Sequence, residues 1–193
     1  MKIEEGCCYH IYNRGNNKGK IFFEDRNYIF FLMQFKKYVS SSADVFAYCL
    51  MPNHFHFFIR VNKKAEFERG IKNLFISYVK AVNQTYNRVG GLFQGRYKVK
   101  KVNSGTYYTR IVTYIHQNPS VSKLVKKIED YKYSSFSAYL SEEPTSINKN
   151  EVLEWFGGLP EFIANHKIDD KWSVYGAAQE TYEVATPTPG ETS

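Results

Sequence analysis

The clearest pattern in the chain is a stripe: Ile71, Leu74, Phe75, Tyr78, Val79 and Val82 fall at i, i+3, i+4, i+7, i+8 and i+11. That spacing places six apolar side chains on one face of an amphipathic helix, which Gly90-Gly91 should end. Elsewhere the pattern is shorter. Tyr9 to Arg14 reads as a strand running into a Gly15-Asn16-Asn17 turn. Glu24 to Val39 reads as a helix, opened by acidic residues and closed by Lys36 and Lys37. Asp44 to Leu50 and His54 to Val61 are strands parted by Met51-Pro52-Asn53, a link short enough to demand an antiparallel hairpin. Tyr97, Val99 and Val102 mark a further strand, with Arg96, Lys98 and Lys100 on the alternate positions. Ser104 is placed to cap a helix over Thr106 to Asn118, which Pro119 should stop.

The predicted order is therefore β-α-β-β-α-β followed by one more helix. This is the split βαβ arrangement of ferredoxin-like folds, an α+β class with an antiparallel sheet and helices packed on it. Beyond Tyr131 the elements become short and helical: Glu151 to Phe156 ends at Gly157-Gly158, and another helix starts at Pro160. The expected division is a domain over residues 1–130, a helical extension over 131–182 and a disordered tail over 183–193, where Thr, Pro, Gly and Glu dominate.

Composition sharpens this picture. Hydrophobic residues make up 43% of the 193, enough for a real core. No apolar run is long enough to span a membrane, and the first residues do not resemble a signal peptide. Cys7, Cys8 and Cys49 lack paired spacing and read as reduced thiols of a cytoplasmic protein. The net charge of +7 is uneven: residues 131–193 hold four Lys and no Arg against ten Asp and Glu. The first 130 residues therefore carry 22 basic and 9 acidic side chains. A basic body containing most of 16 Tyr and 15 Phe has the composition that binds phosphate backbones and stacks bases.

Two constellations bear chemistry. His54 and His56 lie two apart on a strand, so both imidazoles leave one face and can converge on one metal ion, while Phe55, Phe57 and Ile59 point into a core. Tyr114 and Asn118 lie four apart on a helix, so a phenol and an amide project from one helical face. If that helix covers the histidine face, two imidazole nitrogens and an amide oxygen surround a cation beside a phenol. His116 faces elsewhere, and His10 and His166 have no partner at metal spacing. Tyr107, seven before Tyr114, is the rival phenol. Phe93 and Tyr97 suit either base stacking or core packing.

Tyr9-His10-Ile11-Tyr12-Asn13-Arg14-Gly15, Met51-Pro52-Asn53-His54-Phe55-His56, Leu92-Phe93-Gln94-Gly95-Arg96-Tyr97 and Tyr114-Ile115-His116-Gln117-Asn118-Pro119 occur in this order. With Tyr133-Ser134-Ser135-Phe136 they resemble the single-tyrosine HUH transposases, in particular the REP-associated tyrosine transposases, from about Cys8 to Leu140. The resemblance implies metal ligands His54, His56 and Asn118 for Mg²⁺ or Mn²⁺, and Tyr114 as the nucleophile. Several relatives place Gln where this chain has Asn118, which is one methylene shorter. It implies cleavage and rejoining of hairpin-forming single-stranded DNA through a 5′-phosphotyrosine, by a monomer or a homodimer. Arg14, Arg96, Lys98, Lys100 and Lys101 are the residues expected to meet the DNA. A DNA- or RNA-binding module with the same fold and no cleavage is the alternative. A water-using metal hydrolase is disfavoured, because no carboxylate cluster accompanies the histidines.

Overall fold

The computed structural model describes residues 2–103 and 105–167. Along them run β1 (Cys8–Arg14), α1 (Asp25–Tyr38), β2 (Ala43–Met51), β3 (His54–Val61), α2 (Lys64–Thr85), β4 (Lys98–Val102) and α3 (Gly105–Val121). Three short helices follow: α4 (Phe136–Leu140), α5 (Lys149–Phe156) and α6 (Leu159–His166). The four strands form one antiparallel sheet in the order β2-β3-β1-β4, the ferredoxin-like arrangement expected from the sequence. Ser104, proposed as a cap, and the tail over 183–193 lie outside the described residues.

Each element has a local cause. β2 and β3 turn over Pro52-Asn53 alone, since Met51 pairs with His54. The turn is then pinned, because Ile21 and Phe22 donate their amides to Pro52 O at 2.7 and 3.0 Å and Gly15 donates to Asn53 O at 2.8 Å. Glu24 caps α1 in a reciprocal box with Asn27. One sheet face packs on α1 and α2 through Phe31, Phe35, Phe55, Phe57, Ile71 and Leu74, all buried. The two helices approach closely at Gly70, where an added Cβ would lie 2.0 Å from Tyr38 O. The apolar stripe of α2 is buried as predicted at Ile71, Leu74, Tyr78 and Val82.

Two predicted helix ends differ. α2 stops at Thr85 rather than at Gly90-Gly91, because Asn87 takes left-handed backbone angles (φ 49°) and breaks the repeat first. α3 runs through Pro119 to Val121 instead of halting before it. Proline so near a helix end removes only the donor that would meet Ile115 O, and Pro119 itself is buried.

α3 lies on the opposite sheet face, against β2 and β3. The chain after it then closes the β2 edge. Leu50 donates to Tyr133 O at 2.9 Å, Ser135 to Tyr48 O at 3.0 Å and Asn148 to Val45 O at 2.7 Å. An edge strand's open backbone groups are satisfied in this way. Arg60 ties α5 to the sheet, bonding Asp44 Oδ2 at 2.6 Å and Glu151 Oε1 at 2.7 Å.

Candidate active site

β3 sends His54 and His56 toward α3, and Phe55 and Phe57 into the opposite core. The two imidazole centroids are 5.1 Å apart and the ring planes cross at 83°. A ring centroid sits roughly 3.3 Å from a metal bound through its nitrogen, so two rings sharing one ion at angles of about 90° to 110° would be separated by about 4.7 to 5.4 Å. The observed separation falls within that range. Asn53 Oδ1 lies 2.7 Å from His54 Nδ1. A carboxamide oxygen only accepts, so His54 Nδ1 is the donor, and a neutral His54 would hold its lone pair on Nε2.

His56 is only 6% exposed. Its imidazole is held well below its usual range, first by burial and then by the neighbouring His10 and His54, so it is neutral at pH 7. A neutral imidazole is the form that ligates a metal. Its Nδ1 is 2.9 Å from His10 Nε2. His10 is buried in turn, stacked on Tyr12 with ring centroids 4.7 Å apart, and burial followed by Lys100 brings its pKa down to about 3.

α3 brings Tyr114 to this cluster. Its ring stands edge-on to His56 at 5.5 Å and to His10 at 6.1 Å. One turn later, Asn118 Nδ2 donates to Tyr114 O at 2.9 Å, leaving the amide oxygen as the atom able to meet a cation. Among the described residues no three His, Cys, Asp or Glu side chains form a metal-binding group.

The rival phenols separate. Tyr107 is 60% exposed beneath Arg110. Tyr108 packs on Phe58 and Trp155 and is pushed up to about 12, chiefly by its hydrogen bond with Cys8. His116 faces away from Tyr114, bonding His166 Nε2 at 2.9 Å and Ser135 Oγ at 2.8 Å inside the C-terminal packing.

The basic residues divide by strand parity. Lys98 and Lys100 pair with Tyr12 and His10 and share their face, with Lys98 Nζ 5.8 Å from the Tyr12 ring centre. Arg14 ends β1 opposite His54, its Nε bonded to Gln94 Oε1. Arg96 sits over the Tyr97 ring, in the loop leading to β4. Lys101 points to the other face and is ion-paired with Glu4 at 2.7 Å. Phe93 and Tyr97 are half-buried, both in ring contact with Phe75. The loop carrying them is fastened to β1, since Asn16 donates to Leu92 O and Gln94 to Arg14 O.

Sequence reasoning missed His10, which has no partner nearby in the chain. Its signal was the strand order: β1 beside β3, with His10, Tyr12 and Arg14 on the parity that faces His54 and His56.

Comparison with known proteins adds a lineage. The sequence profile described as "Transposase IS200 like" matches residues 4–118. The solved structure of a REP-associated tyrosine transposase bound to a REP hairpin superposes with a TM-score of 0.63 at 16% identity, covering 76% of this chain and 87% of that one. A candidate transposase from Deinococcus radiodurans R1 gives a TM-score of 0.40 at 16% identity, covering 60% and 95%. A bacterial tRNA(His) guanylyltransferase-like protein in complex with ATP gives 0.41 at 10% identity, covering 67% and 70%. No curated protein shows a significant sequence match. The first likeness carries the fold.

Proposed function

The chain belongs to the IS200-like transposase family, and from that premise we propose that it cuts and rejoins hairpin-forming single-stranded DNA with Tyr114 as nucleophile. The observation that carries this reading is the Tyr114 ring set edge-on against His56, 58 residues away in sequence. His54, His56 and Asn118 are the proposed ligands of Mg²⁺ or Mn²⁺. When bound, such an ion would polarise a phosphoryl oxygen and stabilise the charge that builds up in the transition state. Zn²⁺ or Ni²⁺ would bind the same donors more tightly in vitro.

Tyr114 Oη attacks the scissile phosphorus and loses its proton, forming a 5′-phosphotyrosine while the 3′ oxygen departs and is protonated. The number of phosphoester bonds is unchanged, so an incoming 3′-OH can reverse the step and expel the phenol. An isolated phenol has a pKa near 10, so about one molecule in a thousand is ionised at neutral pH. It is a poor nucleophile unaided but a good leaving group, which suits reversible strand exchange. Lys98 and Lys100, on the histidine face, and Arg14 and Arg96 beside it would hold the DNA backbone, with Lys101 at the margin. The structural relative carries a REP hairpin, and a short palindromic hairpin is the substrate class proposed for this chain. The free thiols Cys7, Cys8 and Cys49 suit a cytoplasmic setting, and among the described residues no helix is long and apolar enough to cross a membrane.

The test is incubation with end-labelled hairpin DNA and Mn²⁺. Wild type should give a denaturation-resistant protein–DNA adduct. Tyr114→Phe should bind the hairpin with unchanged affinity and give none. Binding without adduct in the wild type would instead establish a silent nucleic-acid-binding module.

A further inference from the structure

His54 is gripped at Nδ1 by an acceptor that can do nothing but accept. His56 is also gripped at Nδ1, by His10 Nε2, but there either nitrogen could carry the shared proton. The two arrangements have opposite consequences. With the proton on His10, neutral His56 must hold its own proton on Nε2, and no lone pair remains for an ion shared with His54. With the proton on His56 Nδ1, the Nε2 lone pair is available. Both imidazoles would then present the same nitrogen from the same strand face.

We propose that His10 is a positioning residue that accepts the Nδ1 proton of His56 and so fixes the His56 tautomer able to bind the cation. The inference rests on the metal reading above and deepens it. The geometry suits the role. His10 is 6% exposed, its ring is stacked on Tyr12 at 4.7 Å with an interplanar angle of 24°, and Tyr114 stands edge-on beside it, so the ring is held between aromatic neighbours. It lies on β1, diagonal to His56 across the β1–β3 ladder, where the register of Tyr12 with His56 holds it in place. Partners of this kind, bonded to the far nitrogen of a ligating imidazole, orient the ring and raise its basicity.

The test uses full-length protein labelled with ¹⁵N-histidine and free of metal. Long-range ¹H–¹⁵N spectra, with His56 assigned through His56→Gln, should show its proton on Nδ1. His10→Phe keeps the stack but removes the acceptor. It should leave His56 in mixed tautomers and weaken Mn²⁺ binding, read by electron paramagnetic resonance titration, by about 10- to 100-fold. His10→Gln offers an amide oxygen in place of Nε2 and should restore both readings close to wild type. If His10→Phe does not fold, the wild-type tautomer and His10→Gln still decide. Wild-type His56 protonated on Nε2, or Mn²⁺ binding undiminished in His10→Phe, would overturn the inference alone. Failure of the metal reading looks different: His54→Ala and His56→Ala would then bind Mn²⁺ as wild type does, or wild type would bind none, and the inference would fall with it.

Discussion

At Asn118 the chain offers a side chain with two ends and two tasks. Its nitrogen holds the backbone of Tyr114, and its oxygen is the proposed ligand. Asn118→Ala removes both. Mn²⁺ affinity should fall by more than the roughly 10- to 100-fold typical of losing an outer-shell partner, as read by calorimetric titration. Asn118→Gln should retain most of it, and equal loss in both variants would exclude the amide as a ligand. The alternation of His54-Phe55-His56 and the four-residue step from Tyr114 to Asn118 were legible in sequence because each is a local period. His10 was not, because its role exists only across a strand pair joining residues 46 apart in the chain. Phe93 and Tyr97 left two readings open for a similar reason: the sequence does not show that both rings pack on Phe75.

Between elements, two contacts set the frame in which the site sits. Gly70→Ala would drive a methyl group into Tyr38 O, so α1 and α2 must separate. A loss of about 1–3 kcal/mol or more is expected in urea unfolding, and an unchanged midpoint would show the helices can slide apart freely. The second contact is a hydrogen-bond chain from α6 through α3 to the β2 edge. His166 Nδ1 donates to Phe162 O, so its Nε2 accepts from His116 Nδ1, and His116 Nε2 accepts from Ser135 Oγ. Neutral imidazoles satisfy this chain, and burial lowers His166 to about 4 and His116 well below its ordinary value. The unfolded chain binds these protons near pH 6.5 and the folded one does not. Stability from the pair is thus complete above pH 6.5 and is lost as pH falls toward 4, on the order of 1.4 kcal/mol per pH unit for each proton taken up. His166→Phe should flatten this slope in thermal unfolding followed from pH 7 to pH 4.5, and an identical slope would remove the chain from the account. Strands and helices were largely readable from their apolar periods, whereas Pro119 and Asn87 moved two ends through local backbone conformation that an apolar period does not encode.

At the scale of the whole molecule, charge and topology act together. The register places Lys98 and Lys100 on the face of the histidines, while Lys101 is committed to Glu4. Lys98→Ala and Lys100→Ala should each reduce the slope of log affinity for single-stranded DNA against log salt by about 0.7, with a smaller change for Lys101→Ala. Equal slopes for all three would place the DNA elsewhere. The fold also explains why the site cannot form piecemeal: β1 supplies His10, β3 supplies His54 and His56, and α3 supplies Tyr114, and only the β2-β3-β1-β4 order brings them together. The most direct measurement is the anomalous scattering of a Mn²⁺-soaked crystal. A single peak about 2.2 Å from the Nε2 atoms of both His54 and His56, on the side of Tyr114, is the predicted result. A peak touching only one of these rings, or none at the pair while Mn²⁺ supports cleavage, would contradict it.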